Sequence, residues 1–457
     1  MTVTSDALDL ANPPRLAAGV ELLGQLKDSG FAEPPSLVRR ADGQVIQLSK
    51  LMYLVVGLLD GTRDPGAIAR QASLDLGRSL TAEQVSYLLT AKLAPLGIIA
   101  GEGVPAALPT ASPLLALRAR VTLLPAAAAS AAGTLLRPLF RWPVIAAVVG
   151  AAGVLDYWIF SVNGLAAAFR LILNDPVDLL LVAALSVASA LFHECGHAAG
   201  CRYGGATPGR IGVGIYLVWP SFFTNVTDSY RLNRAGRLRT DLGGIYFNLI
   251  FILVLAGIYA ATSAPILLLV IAVTHLEMLE QLLPFVRFDG YFILSDLVGV
   301  PDLFARVRPV LRSTLSHGHQ DPRAASLRAN ARVVITAWVL TVIPLLTLLL
   351  GYLLLHLPAT NRALWHSADQ AAHLSAADLG RHRYAAAVAD AAGGALAAVS
   401  MAGSLYVAFG LLRRALTAGA RWSAGRPRRR VLAIAAAIAL AASLTLVWLA
   451  QGQLRNW

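Results

Sequence analysis

The segment ALFHECGHAAG combines residue types and a spacing that can bind a metal ion and use it. His193 and His197 are four positions apart, so on a helix both imidazoles lie on one face and can bind the same tetrahedral ion. Glu194 can reach a water on the metal rather than the metal itself. Zinc lowers the pKa of such a water from about 15.7 to about 7, and a neighbouring glutamate accepts its proton as the water attacks a peptide carbonyl.

The alternative interpretation of these residues is a polar helix end without a metal. An ionisable group inside a membrane costs roughly 2.5–3.5 kcal/mol even on the more lenient scale, so three together in an apolar segment require a reason. A zinc ion held by His193 and His197, with Glu194 as the general base, supplies that reason.

A zinc site needs a third protein ligand, and the later segment EQLLPFVRFDGY contains a candidate. The two motifs together, HECGH and then LLPFVRFDG, resemble those of the site-2 protease family of intramembrane metalloproteases. The resemblance implies that Asp289 completes the zinc site. Pro284 and Gly290 match the family motif. Since Pro284 ends a helix and Gly290 permits a turn, the Asp289 carboxylate can reach back towards the metal.

The resemblance also implies substrate contacts, with one departure from the family pattern. Gln281 stands where the family usually has an asparagine that helps to hold the substrate strand or the transition state. Glutamine keeps the amide but adds a methylene group. Asn248, in the glycine-rich segment DLGGIYFNLIF, corresponds to a family residue that serves helix packing and substrate contact. With Pro284 and Gly290, these residues form the expected substrate-binding set, and the resembling segments run from about 178 to 300.

The composition predicts that these motifs belong to a membrane protein. Hydrophobic residues make up 56% of the chain and charged residues only 14%, with a mean hydropathy of +0.62. The expected fold class is a mainly α, polytopic membrane helical bundle of about six or seven spans, occupying 142–455. The predicted spans are 143–161, 178–200, 242–261, 265–284, 333–355, 395–412 and 431–450.

Arginines carry the net charge of +12, and their positions predict the orientation of the spans. They concentrate in 118–141, 202–239, 306–332 and 413–430. Placing all four stretches inside the cell agrees with seven spans and a cytoplasmic N-terminus. The predicted location is the cell membrane, and the starting sequence does not resemble a signal peptide. Both zinc motifs then lie at the cytoplasmic side.

Several polar segments between the motifs have more than one interpretation. The stretch 207–224 is too short and too broken by glycine and proline to span, so it is either a re-entrant hairpin or an interfacial loop. The stretch 356–394 is expected as an outside loop with surface histidines. In the fourth span, His275, Glu277 and Glu280 are expected to form hydrogen bonds inside the bundle, with a second metal or a proton path as the alternative. Cys195 and Cys201 are about 9 Å apart along a helix, too far for a disulfide.

The N-terminal part predicts a small soluble α+β domain over 36–103. Alternation around Ala41-Asp42-Gly43 indicates a hairpin, followed by helices from about Ser49, at 64–76 and from Thr81. This order resembles a winged helix, and the segment from 59 to 63 with its following Ile-Ala helix and closing Leu-x-x-x-Gly-Ile resembles the PqqD-like peptide-recognition domain. Residues 1–35 are expected as a tail, and 104–141 as a linker and an interfacial helix from about 114.

The net charge of this domain helps to decide whether its partner is DNA or a peptide. Residues 36–103 contain seven Lys/Arg and six Asp/Glu, a net of 7 − 6 = +1, whereas a winged helix that reads DNA needs a basic face. Capture of a peptide as an extra strand at the hairpin edge is favoured over DNA binding and over a purely structural role. No nucleic-acid partner is expected.

Together these features predict a membrane zinc metalloendopeptidase. The resemblance to PqqD-like domains implies a substrate that is a ribosomal precursor peptide, delivered through its leader to 36–103. Two alternatives remain open: regulated cleavage of a membrane-anchored regulator, and a non-catalytic zinc-binding subunit for peptide export or immunity.

Overall fold

The structure, a computed structural model, describes residues 13–100, 118–159, 161, 176–216, 219–315 and 321–452. It is mostly helical, with several long apolar helices and two small antiparallel sheets. The predicted mainly α bundle is therefore confirmed at this coarse level.

The N-terminal unit packs three helices against a three-stranded sheet. Its elements are β1 (Glu21–Gln25), β2 (Ser36–Arg39), β3 (Val45–Leu48), α1 (Lys50–Gly57), α2 (Pro65–Leu76) and α3 (Ala82–Tyr87). The strand order is β1-β2-β3, all antiparallel, so the predicted hairpin is present as β2 and β3. Ser49, Asp64 and Thr81 cap the three helices, because each side chain accepts a backbone N–H of the first turn.

The expected tail, residues 1–35, contains a strand of this sheet. β1 pairs with β2, and Leu26 is buried. The strand is hard to recognise from sequence because its register shifts between Leu22 and Gly24, where the backbone is left-handed (Gly24 φ 88°). The N-terminal unit therefore begins before residue 36.

Residues 118–141 form only partly the predicted interfacial helix; residues 104–117, which include the predicted linker, lie outside the described residues. They contain β4 (Arg118–Leu124) and then α4 (Ala126–Leu136), which a 3-10 turn connects to α5 (Trp142–Trp158). β4 pairs with β5 (Ile211–Tyr216), and β5 forms a hairpin with β6 (Trp219–Thr224). The segment 207–224 is thus a β-hairpin, while its depth in a bilayer stays a prediction. β4 was missed because its partner strand lies far away in the sequence.

Six helices among the described residues are long and apolar enough to cross a membrane, and seven if α4 and α5, bent by 77°, count as one span. These six are α6 (Pro176–Tyr203), α8 (Gly243–Thr262), α9 (Pro265–Leu282), α13 (Ala329–Gly380), α14 (Tyr384–Ser423) and α15 (Pro427–Ala450). Shorter helices connect them: α7 (Arg234–Asp241), α10 (Asp289–Val298), α11 (Phe304–Leu315) and α12 (Pro322–Ala325). This set indicates a membrane protein.

The loop expected at 356–394 is wrong, because the segment is almost entirely helical. α13 continues through Pro358 to Gly380, and α14 begins after a turn at 381–383. At 52 residues α13 is about 78 Å long, more than twice the ~30 Å apolar core of a bilayer. Alanine-rich sequence favours the helix, and contacts between α13 and α14 support it: the Ser375 hydroxyl donates to the Ala387 carbonyl.

Close contact joins α6, which carries the HECGH motif, to α8, which contains the glycine-rich segment. A Cβ on Gly196 would lie 2.2 Å from the Gly243 carbonyl oxygen, and a Cβ on Gly243 would lie 2.5 Å from that of Gly196. Only glycine permits this approach. Phe140, Ala199, Tyr246 and Phe247 fill the adjoining core, so the helix with both histidines packs directly on α8.

The strand β1 yields a prediction about where the N-terminal unit starts. Leu16, Val20 and Leu22 pack against its core, and full burial of such side chains contributes up to roughly 1.5–3 kcal/mol each. We expect a fragment of residues 13–100 to give a cooperative thermal transition by far-UV circular dichroism. A fragment of 36–100 should lack that transition. Equal stability of the two fragments would show that residues 13–35 are a tail after all.

Candidate metal centre

Three predicted ligands meet at one point where α6, α8 and α10 come together. The His193 Nε2 atom lies 3.0 Å from the His197 Nε2 atom and 3.0 Å from Asp289 Oδ2. His197 Nε2 lies 3.4 Å from the same Asp289 oxygen. Both histidines are buried and Asp289 is mostly covered. These residues form the one group with metal-ligand geometry found in the described part of the chain.

The distances match those that a small divalent ion requires. Tetrahedral ligands with bonds of about 2.0–2.1 Å are roughly 3.3 Å from one another, which is close to the three separations observed. Asp289 Oδ2 is buried beside the two imidazole nitrogens and has no other hydrogen-bond partner among the described residues. Three potential ligand atoms that converge on one point fit a shared cation at their centre. The group could therefore hold a metal ion.

A backbone carbonyl sets the orientation of His197. Its Nδ1 donates to the Thr240 carbonyl at 2.8 Å, which leaves Nε2 facing His193 and Asp289. Thr240 lies in α7 and is fully buried; its own hydroxyl donates to Gly236 in the same helix. Sequence reasoning missed Thr240, because a main-chain acceptor leaves no signal in residue type.

The position of Asp289 follows from how α9 ends. α9 stops at Leu282, and Asp289 is the first residue of α10 after a short irregular connection. The Pro284 carbonyl accepts the indole N–H of Trp338 at 2.9 Å, which holds that connection against α13. A Cβ on Gly290 would lie 2.1 Å from the Leu282 carbonyl oxygen, so glycine lets α10 start beside the end of α9.

The charge state of Asp289 suits a ligand. Burial opposes its charged form, but the interactions with His197 and His193 outweigh burial and keep the pKa of this carboxyl below its usual range. A carboxylate is the form that binds a metal.

Glu194 lies beside the ligands and is held by a residue of the second sheet. The Thr224 hydroxyl, at the end of β6, lies 2.7 Å from Glu194 Oε2 and 2.9 Å from the Glu194 backbone oxygen. Glu194 itself is buried. The hairpin therefore reaches the candidate base, a relation that sequence reasoning missed because Thr224 has no motif around it.

The four residues expected to contact substrate lie in different surroundings. Asn248 is buried, and its Oδ1 lies 3.5 Å from the Ser189 hydroxyl, so it joins α8 to α6. Gln281 is in the last turn of α9, with its Oε1 buried and without a hydrogen-bond partner. Pro284 and Gly290 shape the connection to Asp289. The substrate roles of all four stay predictions.

Of the three ionisable residues of α9, His275 and Glu277 contact neighbouring groups inside the bundle, whereas Glu280 is exposed. His275 Nε2 is 2.8 Å from Asp156 Oδ1 in α5, and its Nδ1 is 2.8 Å from the Ile271 carbonyl. Glu277 hydrogen bonds with Ser186 of α6. These contacts support the interpretation of hydrogen bonding between helices. Cys195 and Cys201 are both free, as expected.

A tight contact between α8 and His193 yields a prediction about metal binding. A Cβ on Gly244 would lie 2.2 Å from His193 Nε2, so Gly244→Ala should displace this donor atom and weaken metal affinity at least about tenfold. Gly257→Ala, on the same helix with open space around its Cβ, is the matched control. Metal content after dialysis, measured by mass spectrometry, should fall only in Gly244→Ala. Full metal content in that variant would contradict the assigned position of His193.

Comparison with known proteins returned no match: no protein-family model, curated protein or solved structure is similar to this chain. The candidate site therefore rests on its own geometry. It consists of two buried imidazoles and a carboxylate within reach of one ion, with a glutamate fixed at their side.

Proposed function

We propose that this chain is a membrane-embedded zinc metalloendopeptidase of the site-2 protease type. The observation that carries the proposal is the combination of three convergent donor atoms with Glu194, which Thr224 holds next to them. A ligand set alone also fits a structural metal. A buried carboxylate beside it that is not a ligand is what a hydrolytic reaction needs.

The donor chemistry favours zinc. Two imidazoles and one carboxylate form a three-ligand set of the kind that catalytic zinc sites use, which leaves the fourth position for water or substrate. When bound, zinc supplies Lewis acidity and makes a coordinated water acidic near neutral pH. Closed structural sites use four protein ligands instead, and the described residues bring only three together.

Glu194 is proposed to move the proton. Its carboxylate accepts a proton from the attacking water and returns it to the leaving amine. The Thr224 hydroxyl at 2.7 Å fixes one carboxylate oxygen, so the side chain stays oriented towards its neighbours on α6. Apolar helices around the group exclude bulk water, which strengthens each electrostatic interaction.

The substrate is proposed to be a peptide in extended conformation. In the sheet order β4-β5-β6, the outer edge of β6 has no strand partner within the described residues. A peptide strand added at this edge runs along β6 towards Thr224 and Glu194. The Oε1 atom of Gln281, which is buried and has no hydrogen-bond partner among the described residues, is available to accept a hydrogen bond from such a peptide.

Delivery of the substrate is proposed to depend on the N-terminal unit, which resembles PqqD-like domains. Its β1 edge lies beside the 3-10 turn at 227–231: Arg231, the last residue of that turn, lies 3.0 Å from Glu21. The β3 edge has only β2 as a strand partner among the described residues. We therefore assign the leader of a precursor peptide to β3. In the proposed orientation, this unit lies on the cytoplasmic side of the cell membrane.

Two alternatives differ from this proposal in substrate or in turnover. Regulated cleavage of a membrane-anchored regulator uses the same centre but no leader at β3. A non-catalytic zinc-binding subunit for export or immunity keeps the ligands without turnover, and Gln281 in place of the family asparagine is the feature that favours it.

Replacement of Glu194 separates proteolysis from metal binding. We expect Glu194→Gln to retain zinc while losing at least about 100-fold in cleavage rate, because the general base is gone but the ligands remain. Asp289→Asn, by contrast, should lose both zinc and activity. The measurement is the product mass of co-encoded peptides incubated with purified protein, with and without a chelator, together with zinc content. Undiminished cleavage by Glu194→Gln would exclude the mechanism, and a zinc-loaded wild type without turnover on any peptide would favour the subunit alternative.

Binding of a leader at β3 can be tested in the full chain. Proline cannot donate a backbone hydrogen bond. The Gln44 carbonyl accepts the Arg40 N–H of the neighbouring strand, so the alternating residues Val45 and Gln47 both direct their N–H groups to the open edge. We expect Val45→Pro and Gln47→Pro each to bind a fluorescent co-encoded precursor peptide at least about tenfold more weakly, by anisotropy. Gln71→Ala, on α2 away from the sheet, is the control. Unchanged affinity in both proline variants would contradict the assignment to β3.

A further inference from the structure

The short helix α7 links two parts of the molecule that are distant in sequence. At one end its Thr240 carbonyl accepts the Nδ1 proton of His197. At the other end its first residue, Arg234, donates its backbone N–H to Asp28 Oδ2 at 3.0 Å and its guanidinium to the Asp28 carbonyl at 2.7 Å. One eight-residue helix thus contacts both a metal ligand and the N-terminal unit.

The fully buried Arg237 connects α7 to the helix with the third ligand. Its Nε donates to Asp296 Oδ1 at 2.9 Å. Asp296 lies in α10, which begins with Asp289. One guanidinium therefore joins the helix that orients His197 to the helix that carries Asp289.

Arg237 also depends on the N-terminal unit for a partner. Its Nη1 donates to the Lys27 carbonyl at 3.2 Å and to the Leu232 carbonyl at 2.9 Å. Burial of a guanidinium is costly unless its donors are bonded. The Arg237 Nη2 atom already has no hydrogen-bond partner among the described residues, so loss of the Lys27 carbonyl leaves this cation with only Asp296 and the Leu232 carbonyl as acceptors.

Residues 27–32, here called the wedge, insert between α7 and the end of α10. The Gly30 backbone N–H donates to the Gly299 carbonyl at 2.8 Å, and the Arg328 N–H donates to the Gly30 carbonyl at 2.8 Å. Phe31 is buried in the cluster that includes Tyr291 and Trp338. A Cβ on Gly30 would lie 2.2 Å from the Val298 carbonyl oxygen, so the wedge has no room for a larger residue there.

We propose that docking of the wedge sets the geometry of the metal centre, with Arg237 as the positioning residue that transmits it. When the wedge leaves, Arg237 loses an acceptor, α7 and α10 loosen relative to each other, and the donors of His197 and Asp289 separate. The N-terminal unit therefore stabilises the metal centre in addition to binding the peptide. The inference rests on the proposed metal centre and is independent of peptide cleavage.

The test compares metal binding in full-length protein variants in detergent, with Co2+ as the probe. Gly30→Val displaces the wedge by steric conflict, and Arg237→Met removes the transmitting group while keeping much of its volume. Arg231→Ala is the matched control, because it removes exposed ion pairs to Glu21 and Asp228 at the same interface without touching α7. For each variant the visible spectrum of bound Co2+ and its affinity in competition with a chelator are recorded. Hydrogen–deuterium exchange of 27–32 and 234–241 reports whether the wedge and α7 have loosened.

We expect Gly30→Val and Arg237→Met to change the Co2+ spectrum and to weaken its affinity about 10- to 100-fold, the usual effect of losing support around a ligand. Exchange of 234–241 should rise in both, and Arg231→Ala should match wild type. If Arg237→Met does not fold, Arg237→Lys keeps the charge against Asp296 and should show a smaller change of the same kind. Wild-type spectrum and affinity in Arg237→Met, or in Gly30→Val with a freely exchanging wedge, would overturn the inference. Failure of the wild type itself to bind Co2+ would instead refute the metal centre.

Discussion

Two imidazoles and a carboxylate lie within 3.0 to 3.4 Å of one another among apolar helices, and much of the surrounding structure serves this arrangement. Such a group is expensive to bury unless a cation binds its lone pairs. The glycines of α6 and α8 bring the two helices into backbone contact, which leaves His193 beside Gly244. The Thr240 carbonyl selects the tautomer of His197. Asp289 is the first residue of α10, and the short connection after α9 places it beside the two histidines.

Each of the two small sheets contacts a different part of the surroundings of this group. The second sheet ends at Thr224, whose hydroxyl contacts Glu194, so a strand edge leads to the candidate base. The first sheet presents β3 at its free edge, while its β1–β2 connection forms the wedge that contacts α7 and α10. In the proposed function, the leader of the peptide binds at the β3 edge of the first sheet while the segment to be cleaved binds at β6 of the second sheet, beside Glu194.

The sequence predicts best what depends on local spacing. His193, Glu194 and His197 lie within five positions of one helix, and the predicted helix starts near Ser49, at 64 and at Thr81 depend on equally local patterns, so both were predicted directly. Asp289 is far from them in sequence and followed only from the resemblance to a family. Strand β4 and the support from Thr224 and Thr240 were missed, since each depends on a partner distant along the chain. The helical 356–394 was mistaken for a loop because it lies between two predicted apolar spans and contains four histidines, whereas α13 and α14 extend through it and pack on each other.

The central claim is that His193, His197 and Asp289 bind one zinc ion. X-ray absorption at the zinc edge of the purified protein tests it most directly, because the scattering pattern reports the ligand atoms. We expect a shell of nitrogen and oxygen at about 2.0–2.2 Å with the outer features of two imidazoles, and loss of zinc in Asp289→Asn. A sulfur shell at about 2.3 Å would instead mean that Cys195, which lies between the two histidines, is a ligand, and would contradict the account.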